Sequence, residues 1–372
     1  MRSVQRVLLA GMGLLLLVGA GAGDAGLPQE INPDNAALRY VGRFDRRDAA
    51  GPRAAWSNSA VEIHFKGTAA AIKLKSEGRD QYQVVVDGKA TTVVQPGAGM
   101  GVYSLARDLA AGEHTVQLVR RTEAHTGVVQ VLGVELEKGA ELLPAAKVER
   151  CVEVIGDSIS CGYGNEGANQ DEHFTPGTEN GWLTYGALAA RRFGADYHCI
   201  AWSGRKLWPD HTIVSIYEEA LPEDAASKWD FKGVLPQVVV INLGTNDFGP
   251  GIPEEKGWTG AYKAFVGTIR KHNPEGHIFL ASGPLMSDSW PPDVKALSAL
   301  KGYLDKVVAD LAQAGDKRVH RIDFAPQDGN KDGLGSDWHP SLKTHAKMAA
   351  KLEEAIGKEL GWKAGAADGG AR

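Results

Sequence analysis

The sequence predicts an all-β sandwich of jelly-roll type followed by an α/β unit with a parallel sheet and helices on both faces. Three observations carry this. Short alternating apolar runs, separated by turn residues, fill residues 30 to 145. After about residue 150, short apolar runs alternate with helical patterns. The longest apolar stretch lies at the extreme amino end and has the form of a leader.

That leader comes first. Arg2 and Arg6 precede an apolar run from Val7 to Val18, interrupted by Gly11 and Gly13 and followed by small residues from Gly19 to Gly26. A charged start, a short apolar centre and a small-residue end make residues 1–26 a secretory signal peptide. The alternative is a membrane anchor, for which the run is short, since a bilayer takes about 20 apolar residues. The mature chain is therefore expected outside the cytosol, in the periplasm or the medium, and free of the membrane.

Residues 27–147 form the expected sandwich. Val61–Phe65, Ala71–Lys75, Gln83–Val86, Thr91–Val94, His114–Val119 and Val128–Leu136 read as strands. Asp87-Gly88 between two of them is a hairpin signal, because a tight two-residue turn needs positive φ at both positions. Gly67, Gly97–Gly101 and Ala111-Gly112 read as punctuation, and Leu142–Arg150 as the join.

Residues 148–362 alternate. Val152–Ile155, Tyr197–Ala201, Val238–Ile241, Ile278–Ala281 and Val319–Ile322 read as buried strands. Helices are expected over Trp182–Phe193, Thr259–Lys271, Val294–Ala314 and His345–Leu360. In such sheets ligands bind beyond the carboxyl ends of the strands. The Gly/Ala-rich tail, residues 363–372, is expected to be disordered.

Composition excludes several classes. Of 372 residues 43% are hydrophobic and 23% charged, which suits packed cores, and a net charge of −5 is not the footprint of a nucleic-acid binder. The 3 cysteines, Cys151, Cys161 and Cys199, do not make a disulfide scaffold or a metal pattern. They read either as buried inert thiols or as one bridge, Cys161 to Cys199, with Cys151 left over.

The unusual residues follow the predicted strands. Gly156-Asp157-Ser158 comes directly after the first parallel strand. Gly156 permits a sharp turn, and Ser158 then sits at the strand's carboxyl end. A serine is useful as a nucleophile only beside a base and an oxyanion site. Alone, the triplet reads better as a turn with an N-cap serine. Far downstream, Asp337-Trp338-His339-Pro340 precedes the final helix. His339 there suits a general base, with Asp337 as the acid that fixes its tautomer. Ser203-Gly204-Arg205 and Gly244-Thr245-Asn246-Asp247 follow two further strands. The Gly204 N–H and the Asn246 amide suit an oxyanion hole, although each is separately a common loop-end motif.

Four elements in the order Ser, Gly, Asn, His resemble the SGNH, or GDSL-type, hydrolase superfamily. The resemblance implies a flavodoxin-like sheet, Ser158 as nucleophile, and an oxyanion hole of the Ser158 N–H, the Gly204 N–H and the Asn246 side chain. Many of these enzymes place the acid three residues before His, where this chain has Ser336. Gly156–Gly164, Asn242–Asp247 and Asp337–Pro340 resemble carbohydrate esterase family 2 more narrowly. So do the jelly-roll domain in front, Tyr40–Asp45, Trp56 and Arg121-Thr122-Glu123. The resemblance implies a deacetylase of plant polysaccharides such as xylan and glucomannan, with a β-domain that mostly frames and supports the cleft. Some family members orient the His through a backbone carbonyl instead of an acid.

Sugars are bound by flat aromatic faces. Trp338, Trp290 and Trp208, all in loops near the carboxyl ends of the strands, are the candidates for stacking on a pyranose ring. The alternative for each is packing. Asp328-Gly329-Asn330-Lys331-Asp332-Gly333 matches the opening of a calcium loop, but its twelfth position is His339 where a Glu is needed. No metal and no cofactor is therefore expected, and the partner is an acetylated saccharide. The rivals are a lipase or thioesterase on the same scaffold and a carbohydrate-binding protein with a vestigial site.

Overall fold

A computed structural model describes residues 28–233 and 235–365. The predicted leader, residues 1–26, and tail residues 366–372 lie outside the described residues.

The amino-terminal half contains β1 (Gln29–Ile31), β2 (Arg39–Val41), β3 (Arg53–Ala54), β4 (Ala60–Gly67), β5 (Ala70–Ser76) and β6 (Tyr82–Val86). It continues through β7 (Lys89–Val94), β8 (Gly99–Ala106), β9 (Gly112–Arg120), β10 (Val129–Leu136) and β11 (Glu141–Leu143). One antiparallel sheet runs β1-β10-β5-β8, with β3 beside β10, and the other runs β11-β4-β9-β6-β7, with β2 beside β4. Their inner faces supply one core, including Ile63, Phe65, Ile72, Leu74, Val84, Val116 and Leu118. Asp87 and Gly88 both take positive φ, as a tight hairpin between β6 and β7 requires.

Two expectations are corrected. Gly97–Gly101 is not merely a turn, because Gly99 opens β8. This strand lies at the end of its sheet and turns Met100 and Val102 to solvent, so its apolar residues and glycines do not alternate as a half-buried strand should. The join is shorter than Leu142–Arg150, because Leu142 and Leu143 pair with Phe65 and His64 of β4.

The second half has β12 (Cys151–Gly156), β13 (Asp196–Ala201), β14 (Val238–Asn242), β15 (His277–Ser282) and β16 (Val319–Asp323). They form a parallel sheet in the order β13-β12-β14-β15-β16. The helices are α1 (Ser158–Cys161), α2 (Tyr185–Arg192), α3 (Thr245–Phe248), α4 (Glu255–His272), α5 (Ala296–Gln313), α6 (Gly329–Asp332) and α7 (Leu342–Leu360). Side chains alternate along a strand, so the sheet has two buried faces. Ile155, Ile241 and Leu280 pack on one face with Phe265 of α4 and Leu304 of α5. Val154, Val240 and Phe279 pack on the other with Ala189 of α2 and Leu352 of α7.

The two halves are joined by buried contacts. Trp56 of the sandwich, 1% exposed, enters the core of the parallel-sheet half and donates through Nε1 to the Glu219 carbonyl at 3.2 Å. Arg43 is fully buried and pairs with Glu153 of β12 at 3.1 Å, and Arg39 pairs with Asp196 of β13 at 2.6 Å. All three cysteines are free and buried, so the Cys161–Cys199 bridge is not formed.

Candidate active site

The strands β12, β13 and β14 end side by side, because Gly156 is in register with Ala201 and with Asn242. Whatever follows each strand must therefore meet above the sheet. Ser158 follows β12, Gly204 lies on the turn after β13, and Asn246 lies in α3 after β14. Gly156 is needed for room more than for turning. A Cβ there would lie 2.2 Å from the Ser160 hydroxyl. Asp157 caps α1 by accepting from the Ile159 N–H at 3.0 Å, which leaves Ser158 as the first residue of the helix. Burial pushes the Asp157 carboxyl up to about 7, against the stabilising Ile159 N–H and with the help of the nearby Asp247 charge.

Ser158 is 8% exposed, and its hydroxyl lies 2.9 Å from His339 Nε2. On its other side His339 Nδ1 lies 3.1 Å from the main-chain carbonyl of Asp337. A carbonyl only accepts, so Nδ1 carries the proton and Nε2 is free to accept from Ser158. Burial pushes the His339 imidazole below its ordinary value, partly offset by the backbone contacts to Asp337 and Ser336.

The Asp337 carboxylate is not the group that faces His339, which corrects the expectation of a side-chain acid. It accepts from the Tyr163 hydroxyl at 3.0 Å, the Phe174 N–H at 2.9 Å and His173 Nδ1 at 2.9 Å. These donors hold the carboxyl below its ordinary value. They also hold Asp337 at φ 49 and ψ 41, a left-handed backbone that Asp tolerates better than most residues. That twist turns the carbonyl toward the imidazole. Tyr163 adds a second support. Its ring lies 4.2 Å from the His339 ring and stacks on Phe174 at 4.1 Å. Tyr163, His173 and Phe174 are not singled out by sequence reasoning. The only signal was that the Gly156–Gly164 block runs on past the serine.

Asn246 Nδ2 donates to the Arg205 carbonyl at 3.0 Å and lies 3.4 Å from Asp157 Oδ2. Gly204 is exposed at φ 77, a conformation that favours glycine. The first turn of α1, the turn of Gly204 and the Asn246 side chain are thus gathered beyond the carboxyl ends of β12, β13 and β14. This can stabilise an oxyanion while His339 moves the serine proton.

Of the three tryptophans, Trp338 and Trp290 are 61% and 73% exposed, and Trp338 is next to the base. Trp208 is placed otherwise. It is half-buried, packs against the core and lies over Gly257 of α4, so its ring is used in packing. In the calcium-like run, Asp328 caps α6 and Asp332 accepts from Lys347 at 2.6 Å. Among the described residues one group of metal-ligand type, Glu123, Cys161 and Glu179, brings its atoms within 4.8 Å of one another. A cavity of about 510 Å³ lies between the sandwich and the parallel-sheet half, lined by Arg39, Glu62, Trp182 and Asp196. It opens at the amino end of β13, a strand's length from Ser158, and takes no part in this arrangement.

Comparison with known proteins bears on the family and the fold. The family described as Carbohydrate esterase 2 N-terminal matches residues 40–145, and the GDSL-like Lipase/Acylhydrolase family matches residues 154–347. An acetylxylan esterase / glucomannan deacetylase of Cellvibrio japonicus is 30% identical over 318 residues, covering 80% of this chain and 83% of that protein. The chain belongs to carbohydrate esterase family 2. Another relative is the cellulase/esterase CelE of Acetivibrio thermocellus, 40% identical over 347 residues. That match covers 92% of this chain but only 41% of CelE. Among solved structures, a family two carbohydrate esterase from Clostridium thermocellum in complex with cellohexaose superposes with a TM-score of 0.82 at 40% identity. That superposition covers 87% of this chain and 99% of the other. In this family 2 chain, as in the sequence reading, a sandwich precedes a parallel-sheet hydrolase domain.

Proposed function

We propose that this family 2 chain is an exported serine esterase that removes O-acetyl groups from plant polysaccharides such as xylan and glucomannan. The observation that carries the reading is the 2.9 Å contact between the Ser158 hydroxyl and His339 Nε2 beside the exposed Trp338. The names of the Cellvibrio japonicus relatives support the substrate, and the cellohexaose complex supports a saccharide as occupant of the cleft. The leader-like residues 1–26 support export.

The mechanism is acyl transfer in two steps. Ser158 Oγ attacks the acetyl carbonyl while Nε2 of His339 takes its proton. The oxyanion rests on the N–H groups of Ser158 and Gly204 and on the Asn246 amide. His339 then gives the proton to the departing sugar hydroxyl, leaving an acetyl ester on Ser158. Water, deprotonated by the same imidazole, hydrolyses that ester and releases acetate. Trp338 and Trp290 offer flat faces to the sugar.

Acetate release from acetylated xylan and glucomannan tests this, with Ser158→Ala alongside. The expected result is release by the wild type and none by the variant. A folded wild type that releases no acetate, or that prefers long-chain nitrophenyl esters to the acetate, would remove the deacetylase reading.

A further inference from the structure

We propose that Glu123 of the β-sandwich is a positioning residue for the oxyanion hole, gripping the turn that carries Gly204. The proposal rests on the esterase reading above. Glu123 stands just past β9, at the amino end of the short turn Ala124–Thr126, and is fully buried. Its Oε2 accepts from the Ser203 main-chain N–H at 2.7 Å, and its Oε1 accepts from the Ser203 hydroxyl. Ser203 is the residue before Gly204. A carboxylate that holds both the main chain and the side chain of Ser203 restricts its backbone. Ser203 and Gly204 are the central residues of a turn closed by the Arg205 N–H on the Trp202 carbonyl, so holding Ser203 also restricts the direction of the Gly204 N–H.

The other side of the same turn is held from the hydrolase half. Asn246 donates to the Arg205 carbonyl at 3.0 Å, and the Arg205 N–H closes the turn on the Trp202 carbonyl at 3.2 Å. The Gly204 peptide is thus clamped between Glu123 and Asn246, and the two side-chain and main-chain donors are set relative to each other. Glu123 is itself fixed. Its N–H donates to Glu179 Oε2 at 3.1 Å, and the Gly181 N–H donates to the Arg121 carbonyl at 2.8 Å. Burial, and after it the Glu123 charge, push the Glu179 carboxyl well above its ordinary value, which favours its neutral form beside Glu123. Both side-chain oxygens of Glu123 contact the same residue, Ser203.

The test is steady-state hydrolysis of nitrophenyl acetate by the full chain carrying Glu123→Gln, Glu123→Ala or Ser203→Ala, with wild type and Ser158→Ala as controls. Glutamine can keep both contacts, its oxygen accepting from the Ser203 N–H and its amide donating to the hydroxyl. Glu123→Gln should therefore retain kcat within about threefold. Glu123→Ala should lose about 10- to 100-fold in kcat with KM within about twofold, the signature of a misplaced transition-state donor. Ser203→Ala removes one contact and should lose about three- to tenfold in kcat, again at constant KM. Wild-type kcat in Ser203→Ala overturns the proposal, and this variant decides the matter if Glu123→Ala does not fold. So does a loss in Glu123→Gln as large as in Glu123→Ala, which would assign the effect to charge, or a change confined to KM. A wild type without activity, or Ser158→Ala with full activity, overturns the esterase reading and the proposal together. Loss in Ser158→Ala with wild-type behaviour in the other variants overturns the proposal alone.

Discussion

His339 is oriented by the main chain of Asp337, whose carbonyl lies 3.1 Å from Nδ1, while the carboxylate of the same residue points to Tyr163, His173 and Phe174. Two functions that a side-chain acid would combine are thereby split. The carbonyl fixes the tautomer, and the carboxylate fixes the carbonyl. The group in contact with Nδ1 is a carbonyl with only a partial charge, and the Asp337 carboxylate acts on the imidazolium without touching it.

Replacing the carboxylate should therefore cost little. Asp337→Asn keeps the carbonyl and tolerates the left-handed backbone. Its kcat on nitrophenyl acetate is expected to fall by less than about tenfold, against about 10⁴ for loss of an acid in a full triad. A fall of 10³ or more would return the carboxylate to the catalytic group.

The acid limb of activity should sit low. The base works as neutral imidazole, and burial holds His339 below its ordinary value. Activity is then lost only as pH falls through that lowered value. The midpoint of kcat/KM against pH is expected below about 6.5, the value of a free imidazole. A midpoint above it would contradict the burial argument.

Asn246 has two tasks, as oxyanion donor and as support for the Arg205 carbonyl. Asn246→Ala should lower kcat by about 10²–10³ with little change in thermal stability. Thermal unfolding measured beside the kinetics separates catalysis from folding.

Trp338 should matter for polymer and not for small esters. With 61% of its surface exposed, it has little packing to lose. Trp338→Ala is expected to raise KM for acetylated polysaccharide by about tenfold, equal to about 1.4 kcal/mol, on the scale of burying one large apolar side chain. KM for nitrophenyl acetate should stay within about twofold. Equal effects on both substrates would place Trp338 in the support of His339.

Trp56 belongs to the sandwich in sequence and to the hydrolase core in space. Trp56→Ala should destabilise the chain by about 3–5 kcal/mol, from the cavity left and the lost contact to the Glu219 carbonyl. Denaturant unfolding followed by circular dichroism would register it as a lower midpoint. An unchanged midpoint would mean that the two halves are stable without this contact.

What the sequence by itself determined was local. Runs such as Val152–Ile155 and Val238–Ile241 read as strands because a strand buried on both faces needs apolar residues at every position. In a parallel sheet the carboxyl ends of neighbouring strands coincide, so Ser158, Gly204 and Asn246 could be placed together from three separate motifs. Strand β8 was not legible, since Met100 and Val102 at its start face solvent and its glycines imitate a turn. The tertiary structure alone decided which atom of Asp337 faces His339, because that depends on donors from residues 163, 173 and 174, distant in the chain. It also alone decided that Glu123, some 80 positions before Ser203, holds the Gly204 turn. Motif spacing is set by the backbone's short reach, whereas hydrogen bonds between distant loops are set only when both domains have packed.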